Sequence, residues 1–304
     1  MEINETTILD DRGFVKINGD EAKSFLQNIV TSDIEKITDS LSLFSSIFTP
    51  QGKYLYEFFI LKFEDGYLLE CEKKITSEII KIFNFYKLRA KVNLIDVSKK
   101  YTNIIISLEK FKEITKTQHV EGSALSCEEG STLSCENERI YVDPRNKNLG
   151  AKIITKIENA ENIIKKLSLK KIDKKNYYEK SFSLGIPQLN LTKLKDKIFG
   201  IENNLDELNG IDFKKGCYVG QENTSRIKLR NKLRRRIMPI KKISGEIREN
   251  DIIKFNNSEI GKIMIDKPYS FALIKVVDPD LNEFDNAELT CGSSKVKILK
   301  PEWV

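Results

Sequence analysis

The chain carries one histidine, His119, and its five cysteines (Cys71, Cys127, Cys135, Cys217 and Cys291) contain no C-x-x-C pair. Any Ser-His-Asp or Cys-His mechanism, or any imidazole-based metal site, would therefore rest on that one histidine. His119 sits among Lys116, Gln118 and Glu121, a polar setting that reads as surface. An odd cysteine count without paired spacing argues against a disulfide framework and against a zinc ribbon. Long apolar runs are missing too. Stretches such as Phe58–Leu61 fall far short of the ~20 residues that a membrane span needs. The opening Met1–Glu5 shows no basic n-region, no apolar h-region and no Arg-rich amphipathic presequence. From these absences the expectation is a soluble cytoplasmic protein with no resident metal.

What is present is ample core material. Hydrophobic residues are 40% and charged residues 32% of 304, too apolar for a disordered chain. At roughly 100–200 residues per domain, two or three domains are expected. The net charge of +6 is not evenly spread. Residues 214–242 hold eleven Lys and Arg against one acid, Glu222, so this window is +10 and the rest of the chain is −4. Basicity confined to one place points to an anionic partner there.

The first third alternates in the α+β manner. Thr6–Leu9 and Phe14–Ile17 read as strands, and Asp20 as the N-cap of a helix that places Ala22, Phe25, Leu26, Ile29 and Val30 on one face. Strands follow at Leu41–Phe48 and Tyr54–Phe63. Glu64-Asp65-Gly66 turns the latter onto Tyr67–Glu70. A helix is expected at Lys73–Leu88, then strands at Lys91–Val97 and Asn103–Leu108. Residues 122–137 repeat an octamer, G-S-A-L-S-C-E-E then G-S-T-L-S-C-E-N. It reads as a duplicated loop or hairpin rather than a paired-thiol site, because the spacing of Cys127 and Cys135 matches no ligand pattern. The stretch from Asp143-Pro144-Arg145 to Tyr178 looks mainly helical. From Ile237 onward, short apolar runs broken by Gly, Pro, Asn and Asp indicate a small all-β domain, a barrel.

The segment Lys214–Arg236, K-K-G-C-Y-V-G-Q-E-N-T-S-R-I-K-L-R-N-K-L-R-R-R, concentrates the chemistry. Gly216 and Gly220 flank Cys217, Tyr218 and Val219, and glycines at that spacing allow a sharp turn and a close ligand approach. Gln221–Lys232 has helical character, with Glu222 and Arg226 an i,i+4 pair in the favourable order. Cys217 would then precede a helix start and neighbour Lys214 and Lys215, features that activate a thiol. A buried small residue in a tight turn fits the composition equally well. Leu229 and Leu233 form an apolar stripe, and Arg234–Arg236 suits a carboxylate or phosphate.

K-G-C-Y-V-G-Q-E followed by Arg226 resembles the signature of the YgfZ-type folate-binding proteins, relatives of the glycine-cleavage T-protein (aminomethyltransferase). Asn18–Asp33, Phe48–Lys53, Tyr86–Ala90, Asp143-Pro144-Arg145, Gly185-Ile186-Pro187 and Glu202–Phe213 follow in the order of that family. The resemblance implies an α+β, T-protein-like fold. Residues 1–236 would form the folate-binding region, with two α+β subdomains, the second around 46–97, and residues 237–304 a C-terminal β-barrel. It implies a tetrahydrofolate site in which Lys215, Tyr218, Gln221, Glu222 and Arg226 bind the cofactor and Cys217 is the reactive thiol. It also implies a role in assembling or repairing iron–sulfur clusters, including those of radical enzymes that modify tRNA. The partners would be a reduced folate and iron–sulfur client or assembly proteins, with no membrane and no direct nucleic-acid contact.

Two stretches depart from the aminomethyltransferase pattern. Leu69-Glu70-Cys71-Glu72-Lys73 replaces an Asn-Ala-Asn-like segment, and Ser183 stands where those relatives place a Glu two residues before the glycine matching Gly185. A folate-dependent aminomethyl or methyl transferase is one alternative. A basic nucleic-acid-binding module is the other, although no RRM, KH or zinc-knuckle pattern is present.

Overall fold

The computed structural model describes residues 1–39, 41–119, 132–135, 138–230, 233–276, 281–284 and 287–304. Two compact units interleave along the chain. One comprises Met1–Ser46, Glu57–Tyr177 and Leu208–Tyr218, the other Ile47–Tyr56, Tyr178–Glu207 and Val219–Val304.

In chain order the elements begin β1 (Glu5–Leu9), β2 (Arg12–Asn18), α1 (Ala22–Ile29), β3 (Leu43–Phe48), β4 (Tyr54–Phe63), β5 (Gly66–Glu72), α2 (Thr76–Lys87) and β6 (Asn93–Asp96). They continue with β7 (Tyr101–Ile106), α3 (Leu108–His119), β8 (Thr132–Cys135), β9 (Glu138–Val142), β10 (Ala151–Lys156), α4 (Ala160–Lys166), β11 (Lys170–Lys171) and α5 (Lys174–Ser183). Five strands form a sheet in the order β3-β4-β5-β2-β6, and six form another in the order β11-β1-β7-β10-β9-β8. The first sheet is strongly buried. All seven residues of β5 are buried, and nine of ten in β4, which explains why these strands read as unbroken apolar runs. α1 buries Ala22, Phe25, Leu26 and Ile29, the face expected from its periodicity. Its N-cap is Glu21 rather than Asp20. The Glu21 carboxylate accepts the main-chain N–H of Lys91 at 2.7 Å and is not used as a cap.

The stretch 145–178 is helical only in part. β10 lies in it, paired with both β7 and β9 at the centre of the six-stranded sheet. Its A-K-I-I-T-K pattern hides a strand because Lys152 is a buried cation, not a solvent-facing one. Cys127 and most of the tandem octamer lie outside the described residues; β8, at its end, pairs antiparallel with β9.

In the second unit, α6 (Gln221–Leu229) is followed by β12 (Arg235–Ser244), β13 (Ile252–Phe255), β14 (Ser258–Ile265), β15 (Ser270–Lys275), β16 (Leu289–Cys291) and β17 (Ser294–Ile298). These six strands close into a barrel, β12-β15-β14-β13-β16-β17, around Met238, Ile240, Ile253, Ile263, Ile274, Leu289 and Val296. Closure removes sheet edges. α6 stops at Leu229, short of Lys232, and Leu229 is 85% exposed, so the expected apolar stripe does not pack. Arg235 and Arg236 belong to the first barrel strand, not to a basic helix.

Candidate functional site

In the first unit, the segment 208–218 is pinned to the chain that leaves α1. The Asp212 N–H donates to Thr31 O at 2.9 Å, Thr31 Oγ1 donates to Gly210 O at 2.5 Å, and Lys36 pairs with Asp212. The decisive contact is Lys215. Its ammonium donates to Gln27 O at 2.8 Å, Val30 O at 2.6 Å and Ser32 O at 3.0 Å. Gln27 and Val30 belong to the last turn and C-cap of α1, whose carbonyls lack helical partners and form the negative end of the helix dipole. An ammonium has three protons, and all three are engaged here. Lys215 is 7% exposed, and burial pushes its pKa down to about 8. It lies 5.1 Å from the ring centroid of Tyr218, which is also buried, and burial pushes that phenol up.

Between these two buried side chains the thiol of Cys217 is exposed, whereas Cys71 and Cys291 are buried. Burial raises the Cys71 thiol well out of the reactive range and lifts Cys291 to about 11. Of the two readings that the composition allowed for Cys217, the structure selects the accessible one. Gly216 is not a close-approach position: a Cβ there would meet nothing within 4 Å.

The remaining expected residues lie in the second unit. Gly220 takes φ +83, and a Cβ on it would come within 2.5 Å of Thr49 O, so only glycine fits. Asn223 Nδ2 donates to Gln51 O at 2.8 Å. The F-T-P-Q-G-K turn, Phe48–Lys53, thus packs on the start of α6, and two motifs far apart in sequence become one structural piece. Gln221 is half-buried, while Glu222 and Arg226 are exposed and paired at 2.6 Å.

Part of the basic run is neutralised within the second unit. Arg235 Nε meets Glu202 Oε1 at 2.9 Å, Arg236 meets Glu207 at 2.8 Å and Asn204 Oδ1 at 3.2 Å, and Lys228 pairs with Asp206. All four partners come from E-N-N-L-D-E, Glu202–Glu207. A charge count over a sequence window cannot see this complement, because it lies outside the window. Ser183, at the position of the relatives' Glu, turns its hydroxyl back to Lys180 O at 2.7 Å and is exposed. Among the described residues, no group of three or more His, Cys, Asp or Glu is arranged to hold a metal ion.

One cluster escaped the sequence reading. Glu70 on β5, fully buried, accepts from Arg12 Nε at 2.8 Å, from Lys152 Nζ at 2.9 and 3.1 Å and from Tyr141 OH at 2.5 Å. Burial alone would raise the Glu70 carboxyl, but Lys152 and Arg12 outweigh it and hold it at about 2. Burial brings Lys152 down to about 8 against the pull of Glu70. Beside it, Arg145 forks onto Asp143 at 3.0 and 2.8 Å and lies 4.6 Å from the centroid of Phe59. The cluster ties β2 and β5 of one sheet to β9 and β10 of the other. The available signal was an acid at Glu70 and a cation at Lys152, each inside an apolar run.

No family model matches the chain. Relatives by sequence are proteins named iron-sulfur cluster assembly factor IBA57 homolog, mitochondrial. That of Neurospora crassa is 26% identical over 240 residues, covering 77% of this chain and 52% of the relative. That of Dictyostelium discoideum is 27% identical over 261 residues, 76% of this chain and 61% of the relative. The iron-sulfur cluster assembly factor IBA57, mitochondrial, of Mus musculus is 24% identical over 249 residues, 77% and 65%. The chain thus spans between about half and two-thirds of the length of these relatives. Among solved structures, the glycine cleavage system aminomethyltransferase T from Bartonella henselae superposes with a TM-score of 0.73 at 12% identity, over 99% of this chain and 86% of that one. The fold is T-protein-like, mixed α and β with a closed six-stranded C-terminal barrel, as the motif resemblance implied. The cytoplasmic expectation is overturned, because all three relatives are mitochondrial by name. It rested on the reading of Met1–Glu5, and a presequence is a removable segment, so its absence there carries no weight against the relatives.

Proposed function

We propose that the chain is an iron–sulfur cluster assembly factor in which Cys217 is the side chain that touches the cluster. The names of the sequence relatives support the role, and the exposure of Cys217 between buried Lys215 and Tyr218 supports the residue. A thiolate is the ordinary ligand of iron–sulfur clusters. One thiolate cannot complete a cluster's ligand set, so the other ligands come from the protein that delivers or receives it. The clients we propose include radical enzymes that modify tRNA.

The test is complementation. A strain lacking the protein should lose activity in a subset of iron–sulfur enzymes, and the wild-type chain should restore it. Cys217→Ala should restore less than a tenth of that activity while the purified variant melts within a degree or two of wild type, because an exposed side chain contributes little to stability. Full rescue by Cys217→Ala would remove the thiol from the reading.

Two positions do not serve a folate in the way the resemblance implied. Lys215 has no proton left for a ligand, and Ser183 offers no carboxylate where the relatives carry one. Calorimetric titration with tetrahydrofolate should show no saturable binding; micromolar binding that Gln221→Ala abolishes would restore the folate site. The transferase alternative loses the same support. The nucleic-acid alternative loses the partners that Arg235, Arg236 and Lys228 would have offered to phosphates, since carboxylates already occupy them.

A further inference from the structure

α2 ends in a turn that presents two large apolar side chains to solvent. Phe85 is 73% exposed and Leu88 84% exposed, while Phe83 and Ile79 of the same helix are fully buried. Leu88 has φ 48 and ψ −107, and the Ala90 N–H donates to Lys87 O at 2.8 Å. Those are the dihedrals of the first central position of a type II′ turn, where glycine is the usual residue because a Cβ is strained there. A leucine in that conformation gains nothing from burial to offset the strain. Strain retained at an exposed side chain points to use of the side chain.

The surroundings specify the use. Lys81 lies one helical turn before Phe85 on the same face, and Arg89 and Lys91 follow Leu88 one and three residues later. All three cations are exposed and, among the described residues, none is paired with a carboxylate. The Glu21 carboxylate, which accepts the Lys91 main-chain N–H, offsets part of this charge, and the balance stays positive. Two exposed apolar side chains set among three exposed cations are the combination that suits an anionic headgroup surface with an apolar interior beneath it. We propose that Phe85 and Leu88, ringed by Lys81, Arg89 and Lys91, dock the protein on an anionic lipid bilayer. The apolar side chains would enter the interface while the cations face the headgroups.

Co-sedimentation with vesicles tests this, using the full chain. Vesicles of phosphatidylcholine with about 30 mol % phosphatidylglycerol should bring down most of the protein at low salt, and phosphatidylcholine alone should not. Raising salt to about 0.5 M should release it, since the headgroup attraction is screened. Leu88→Gly should cut the bound fraction at least fivefold and yet raise the melting temperature, because glycine relieves the turn. Phe85→Ser should cut binding without lowering helix content. Absence of binding to the anionic vesicles, equal binding to both lipids, or undiminished binding by Leu88→Gly would each overturn the proposal. In the first case an acidic protein surface becomes the occupant to seek.

Discussion

Lys215 shows how a side chain expected at a ligand can serve the fold instead. Sequence offers a lysine beside Cys217 in a basic motif, and nothing local distinguishes a cation aimed at a ligand from one aimed at helix carbonyls. The distinction lies in residues nearly 190 positions upstream, Gln27, Val30 and Ser32. Removing the ammonium leaves three buried carbonyls short of a donor. Lys215→Ala should therefore destabilise the protein by about 2–4 kcal/mol, read by urea unfolding. A variant that keeps wild-type stability and loses only cluster-related function would return Lys215 to the site.

At the scale of elements, the two glycines of the motif are unequal. Gly220 turns the chain into α6 at φ +83 against Thr49 O, whereas Gly216 has open space around it. Gly220→Ala should cost about 2–3 kcal/mol through strain and the clash, while Gly216→Ala should stay within about 0.5 kcal/mol. Thermal unfolding of the two variants checks the contrast. α1, β4 and the β4–β5 hairpin were legible because their periodicity and turn chemistry agree with their burial. β10 and β12 were not. β10 hides its strand behind Lys152, whose charge meets Glu70 from another sheet, and β12 opens with Arg235 and Arg236, whose charges meet Glu202 and Glu207. In both, the residue that makes a cation acceptable in a strand is distant in sequence.

For the molecule as a whole, the Glu70 cluster couples stability to acid pH. The folded-state carboxyl lies at about 2, below its ordinary value of 4.5, so the unfolded chain binds the more protons between those values. Its contribution is complete above about pH 4.5 and is lost as pH falls through about 2. Glu70→Gln should cost about 3–5 kcal/mol at neutral pH, because the buried ammonium of Lys152 loses its ion pair and Arg12 loses one of its partners. The acid limb of stability against pH should be shallower in the variant than in the wild type. An unchanged limb would show that the cluster does not set acid stability. The order of elements and the barrel were readable from pattern and family resemblance. The interleaving of the two units was not, since it follows from contacts between segments such as 47–56 and 178–207 that carry no shared local signal.

The anchoring of Lys215 bears on how a partner meets the thiol. Two peptide units separate the Cα of Cys217 from that of Lys215, so it lies within about 7 Å of a residue whose side chain is fixed to the end of α1. A partner that takes this thiol meets a tether already short, and the ordering cost of a long loop does not arise at the moment of contact. The chain offers its sulfur as a fingertip on a stiff knuckle, with the rigidity stored in three main-chain carbonyls at the far end of the first helix.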